Sequence, residues 1–344
     1  MSVLSPPTAG ASPGRSRSAL HWEWGYVSRR VLQAVGILWA TYTLSFLILF
    51  AIPGDPALLM LGGAAEGGAI SPEDLAAVNA QYGFDQPLVL QYLAHLASTL
   101  HGDLGTSFAY GAPVTSLLTD SLGSTTALVI FAMTVATVVG MLIGCLAGAV
   151  RLPWLARLLE ALPAGAASVP TFWIGLLLMQ RMSFQLRLLP VSGDRGFASL
   201  VMPGLTLAVP ASAYIAQVVA RSVRGSLREP YVDVARAKGA GELRVFVVHA
   251  LRTAAPTVLT VAGLVVATMF VTATITETIF ARRGIGFLLE GAITVKDIPV
   301  VQAVVLVVAA VYVTINLLVD LVHPLLDPRT ITHRRRPAAQ AVST

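Results

Sequence analysis

Residues 121–150 read SLGSTTALVIFAMTVATVVGMLIGCLAGAV, a stretch without one Asp, Glu, Lys or Arg. A helix rises about 1.5 Å per residue, so ~20 apolar residues cross a hydrocarbon core of ~30 Å. Inside that core the backbone must satisfy its own hydrogen bonds, which leaves helices or closed barrels. A barrel needs ~10-residue strands alternating apolar and polar residues. This stretch does not alternate, so it reads as a membrane-spanning helix.

Five more uncharged runs flank it, at 31–52, 161–180, 196–220, 253–276 and 298–319. Six such runs do not fit the core of a soluble protein. They explain why 12% of the 344 residues are charged while 55% are hydrophobic; a soluble domain carries about a quarter charged residues. The expected fold is therefore an all-α integral membrane protein with six transmembrane helices. The first run follows Arg29 and Arg30 and could pass for a signal peptide. It is longer than a signal core of about 7–15 residues and lacks a clear small-x-small cleavage site, so it counts as a span.

Basic residues orient the bundle, because they concentrate in cytoplasmic segments. With the N-terminus inside, the inner segments hold most of the 23 Lys and Arg. The outer segments keep Arg181, Arg187, Arg195, Arg282, Arg283 and Lys296, and residues 53–120 contain no Lys or Arg at all. Both termini are thus expected in the cytoplasm. The net charge of +5 follows from topology, so nucleic acid is not needed as a partner; membrane lipid is. The lone Cys145 excludes an internal disulfide or a thiolate metal site. Histidines 21, 95, 101, 249, 323 and 333 all fall outside the runs, leaving a midplane metal or catalytic base without ligands. Glu160, Glu277 and Asp320 sit near span ends, where water and headgroups are expected to reach them, and no catalytic residue is assigned.

Two connecting segments are more than loops. Residues 53–120 are too long for a passive link. Ser71-Pro72-Glu73-Asp74 has the form of a helix start, and Leu88, Tyr92, Leu93, Leu96 and Leu100 suggest a second helix. That stripe fits the membrane surface or the bundle, and the segment as a whole fits an outer cap or a docking element. On the inner side, residues 221–252 predict a short helix beginning at Pro230 and closed by Gly239 as a left-handed cap. Tyr231, Val234, Ala235 and Lys238 share one face, and a second helix is expected from Glu242 through Val245, Val248 and His249. Ala235, Ala237 and Gly239 allow close approach of another surface. The residues alone fit a knob for a soluble partner or a hairpin resting on headgroups.

The run Asp233-Val234-Ala235-Arg236-Ala237-Lys238-Gly239, followed by His249-Ala250-Leu251-Arg252, resembles the coupling loop of binding-protein-dependent ABC importer permeases. The general form is Glu-Ala-Ala, three residues, then Gly. Here Asp233 and Val234 replace the first two, Ala235 and Gly239 match, and the later Leu-Pro reads Leu251-Arg252. This version is similar to the dipeptide/oligopeptide/nickel branch. So are residues 50–56 (FAIPGDP), 101–105 (HGDLG) and 325–329 (LLDPR), and Glu277 with Arg283-Gly284-Ile285-Gly286.

The resemblance implies a type I importer permease in the bacterial cytoplasmic (inner) membrane. Its partners would be a homologous second permease, two cytoplasmic ABC ATPase subunits and an extracytoplasmic substrate-binding protein. Transport of di- or oligopeptides or similar solutes would run by alternating access, with the short helix at Pro230 moved as a lever. No GxxxxGK[ST] phosphate loop is present, so ATP and Mg would be bound by the partner ATPases and this chain would hold no cofactor. The domain plan is a disordered end at 1–28, the permease at 29–329 with its coupling loop at 221–252, and a tail at 330–344. A secondary transporter driven by an ion gradient is the alternative; it leaves the coupling-like loop unexplained.

Overall fold

The computed structural model describes residues 18–51, 57–58, 71–73, 75–76, 79, 85–150, 152–194 and 196–326. The expected tail at 330–344, Pro53-Gly54-Asp55-Pro56 and Asp327-Pro328-Arg329 lie outside these residues. Along the chain run α1 (Ser18–Ala51), α2 (Leu88–Leu100), α3 (Val114–Ala149), α4 (Pro153–Ser168) and α5 (Thr171–Leu178). Then come α6 (Ala198–Leu227), α7 (Pro230–Ala237), the single turn α8 (Glu242–Arg244), α9 (Arg252–Ile279), α10 (Ile285–Thr294) and α11 (Ile298–Leu326). Extended pairing among the described residues is limited to one isolated bridge, Thr106 with Pro113. The first helix begins at Ser18, so residues 18–28, expected to be disordered, are helical.

Among the described residues, five helices are long and apolar enough to cross a membrane: those containing Gly25–Ile48, Val114–Ala149, Ala198–Leu227, Thr257–Ile279 and Ile298–Val322. A sixth candidate, a broken span or a re-entrant loop, is a bent pair. Run 161–180 is divided between α4 and α5, whose axes, with the π-helical turns Met179–Gln185 prolonging α5, meet at 94°. The cause is local. Pro170 has no N–H to continue the helix and forces the preceding residue out of the helical region; Val169 is accordingly extended, at φ −85°, ψ 129°.

The core lies among α3, α6 and α9. Leu128, Val129, Ala132 and Ala136 of α3 meet Leu207, Ile215, Val219 and Val223 of α6 and Met269, Phe270 and Ala273 of α9. Gly140, Gly144 and Gly148 make the α3–α6 seam unusually close. A Cβ at Gly144 would stand 2.6 Å from Val219 Cβ and 2.7 Å from the Ala216 carbonyl oxygen. Small residues at four-residue spacing let two helix backbones approach where lipid supplies no hydrophobic drive for association. A second apolar cluster joins Val114 and Leu118 of α3 to Ile285, Leu288 and Ala292 of α10 and Val300 and Val304 of α11.

Polar pairs fix the ends of this bundle. Arg30 of α1 bridges Asp320 of α11 at 2.9 Å, and Arg224 of α6 pairs with Glu160 of α4 while donating to the Ala147 carbonyl at the end of α3.

Candidate functional site

The segment from α6 to α9 is built as the sequence predicts up to the Gly239 turn, and the helix expected from Glu242 forms but runs on into α9. α6 ends at Leu227, and only Arg228 and Glu229 separate it from α7. Glu229 is extended, and Pro230 occupies the first turn, where its missing N–H costs no helix bond. Gly239 takes φ +81°, a left-handed conformation that suits glycine. Its N–H donates to the Arg236 carbonyl at 2.9 Å, and Ala240 N–H donates to the Ala235 carbonyl at 3.1 Å, closing the helix end.

No separate second helix follows. After α8, residues Val245–Leu251 form π-helical turns that run straight into α9, so His249 belongs to the lead-in of the fifth span. Val245 and Ala250 are fully buried, and Leu251 packs partly against the core. Arg252, by contrast, is exposed at the start of α9. The hairpin thus reduces to α7, the Gly239 turn and the foot of α9.

One residue that pattern reasoning passed over pins α7: Val232 is completely buried. The other anchor is electrostatic. Arg236 donates to both carboxylate oxygens of Glu242, at 3.0 and 3.2 Å, and to Asp233 at 3.4 Å. The Glu242 hydrogen bonds, with the nearby charge of Asp233, hold the Arg236 guanidinium above its ordinary range. With Arg236 paired to its neighbours, the exposed residues of α7 and its cap include Tyr231, Asp233, Val234, Ala237 and Lys238, with Ala235 partly covered. Apolar exposure continues past the turn, with Leu243 77% and Val247 50% exposed. A short stub showing aliphatic and aromatic side chains beside Asp233 and Lys238 is suited to docking in a groove, and it holds no nucleophile–base pair.

The opposite side of the fold departs from expectation at Glu277. It is not reached by water but has zero exposure. Its carboxylate accepts from Thr125 Oγ1 at 2.6 Å and from Gly286 N–H at 2.8 Å, and Ile285 N–H donates to Thr125 Oγ1 at 2.9 Å. The carboxylate therefore caps the N-terminus of α10, where free amides and the helix dipole favour an anion. Glycines make this possible: a Cβ at Gly284 would collide with the Glu277 carboxylate, and one at Gly286 with the Thr274 backbone. The available signal was an acid followed by Gly-x-Gly at the next helix start. Beside it, burial pushes the Arg282 guanidinium below its ordinary range, against the pull of Glu277. Asp297, also fully buried, accepts from Ser107 Oγ at 2.5 Å and from the N–H groups of Phe108 and Ala109 at 3.2 and 3.1 Å. It clasps the segment before α3 to the start of α11.

Between α3 and α9 runs an open groove of about 480 Å³, lined among others by Thr126, Met133, Thr134, Thr137, Val266 and Phe270. Among the described residues no group of three His, Cys, Asp or Glu is arranged to hold a metal.

Comparison with known proteins agrees with this geometry. Residues 140–332 match the family described as "Binding-protein-dependent transport system inner membrane component", and residues 24–129 match its N-terminal counterpart. A probable peptide ABC transporter permease of Sinorhizobium fredii is 35% identical over 312 residues, covering 88% of this chain and 98% of that protein. The dipeptide transport system permease of Escherichia coli K12 is 35% identical over 340 residues, covering 89% and 99%. Among solved structures, an inward-facing MetNI methionine ABC transporter chain aligns with a TM-score of 0.52 at 18% identity, covering 62% of this chain and 97% of that one. That likeness concerns the fold. The relatives favour an importer permease over an ion-gradient transporter. The chain belongs to the binding-protein-dependent transport system inner membrane components, as a permease of an ABC importer.

Proposed function

We propose that this permease moves di- or oligopeptides, or similar small solutes, into the cytoplasm, and that α7 with the Gly239 turn is its contact with a separate ATPase. The observation that supports the coupling assignment is the exposed face of Tyr231, Val234 and Lys238 on a stub whose Arg236 is paired within the hairpin to Asp233 and Glu242. Both termini then lie in the cytoplasm, as the basic residues indicate, and α7 faces the nucleotide-hydrolysing subunits. The peptide assignment rests on the relatives named above.

In this reading the chain itself hydrolyses nothing. Two ATPase subunits bind ATP and Mg, a second homologous permease completes the pathway, and an extracytoplasmic binding protein delivers the solute. Pro230, Tyr231, Asp233, Val234, Ala235, Arg236, Ala237, Lys238 and Gly239 form the stub, and His249, Leu251 and Arg252 its root in α9.

Co-purification from gently solubilised native membranes tests the contact. Wild type should retain an ATPase subunit, and Val234→Glu should lose it while still inserting. Uptake of labelled dipeptide should stop on ATP depletion and survive collapse of ion gradients. An ATPase absent from wild-type preparations that preserve other complexes would overturn the coupling assignment.

A further inference from the structure

Helix α2 is inside out by the standards of a water-exposed helix. The side it turns to the protein carries polar groups. Gln91 is buried, and Tyr92 makes a 2.8 Å hydrogen bond between its hydroxyl and that of Thr43 on α1. The Tyr92 and His95 rings lie 5.3 and 6.3 Å from that of Phe46. The side turned away is apolar: Val89, Leu93 and Leu100 share one face at 3.6-residue spacing and are 68%, 53% and 78% exposed. Leu88 and Leu90 flank that face and are exposed too.

The helix, LVLQYLAHLASTL, contains no Asp, Glu, Lys or Arg. Its one titratable side chain of near-neutral range is His95, and desolvation lowers the imidazole from its ordinary value. A helix on an aqueous surface places its polar residues outward. One lying in lipid has the reverse demand.

What covers the apolar face is indicated by its neighbour. α2 is docked on the half of α1 remote from Ser18, and the same half of α1 exposes Leu44, Leu47 and Ile48. These belong to a helix long and apolar enough to cross a membrane, and in a bilayer such an exposed apolar face meets acyl chains. The α2 face continues that surface. At about 1.5 Å per residue its 13 residues extend only about 20 Å, too short to cross.

We propose that α2 is a monotopic helix embedded in the outer-leaflet lipid against α1, with Val89, Leu93 and Leu100 among acyl chains. The extracytoplasmic segment is then held by lipid as well as by the Asp297 clasp. The outer-leaflet placement rests on the proposed orientation with both termini in the cytoplasm; it does not depend on which ATPase or solute is involved.

Nitroxide labels test it, placed one at a time at Leu93→Cys, Leu47→Cys and Asp103→Cys in a Cys145→Ala background. The full-length permease, purified with its co-purifying subunits, is reconstituted in phosphatidylcholine bilayers. The Leu93 label should collide with oxygen several-fold more often than with a water-soluble nickel chelate, as at Leu47 and opposite to Asp103. Nickel access matching Asp103 would overturn the proposal in favour of water. Protection from both reagents would overturn it in favour of a covering protein. Quenching of a fluorophore at the same site by brominated lipid gives a second reading if one label perturbs folding.

Discussion

At the two ends of α10, Glu277 and Asp297 are fully buried and accept hydrogen bonds from backbone N–H groups. In the α7 hairpin, Asp233, Arg236 and Glu242 lie toward solvent, and their pairing fixes a shape whose apolar side stays uncovered. The two regions use the same residue types for different ends. Buried acids met by backbone N–H groups set the geometry of a turn, because leaving those groups unmet is expensive in low dielectric. Exposed pairs contribute little stability, so the hairpin's charges leave its outward face open to a partner.

That contrast can be broken at several points. The largest effect is expected for Glu277→Ala, which strips the acceptor from Gly286 N–H and Thr125. A loss on the order of 3 kcal/mol follows for two charge-assisted hydrogen bonds, read as a lower melting midpoint in detergent. If Glu277→Ala melts like wild type, the α9–α10 corner is not the rigid element described. Gly286→Ala comes next. Its Cβ would meet the Thr274 backbone, and such overpacking costs about 1–3 kcal/mol. Val234→Glu should leave the melt within about 0.5 kcal/mol yet abolish ATPase retention, which separates docking from folding. Smallest of all, Asp233→Ala should change the melt by no more than experimental scatter, since its partner Arg236 keeps Glu242.

Much of this was legible in the sequence, where the signal is local. Charge depletion marks each span, Pro230 and Gly239 bracket α7, and Ser71 does accept a hydrogen bond from Glu73 N–H as a helix cap should. Features that depend on distant partners were not. Pro170 is a local mark of the bend in run 161–180, but hydropathy carries no direction and does not give its 94° angle. Burial of Glu277 depends on Thr125, 152 positions away. The π-helical lead-in hid the continuity between the hairpin and α9. For α2, periodicity gave the helix but grouped Tyr92 with the leucines. The structure sends Tyr92 to α1 and Leu93 outward, a split that periodicity cannot make when the outside is lipid.

The glycine seam between α3 and α6 has a mechanical consequence. With Val219 and Val223 seated where side chains on Gly144 and Gly148 would be, neither helix can slide or roll without collision. They form one beam two helices thick. α7 joins one end of that beam through only two residues, Arg228 and Glu229, and buried Val232 and the Arg236–Glu242 pair hold it in place. Any force applied at the hairpin is therefore delivered to the wall of the α3–α9 groove, because α3 is both the far flange of the beam and the near side of that groove.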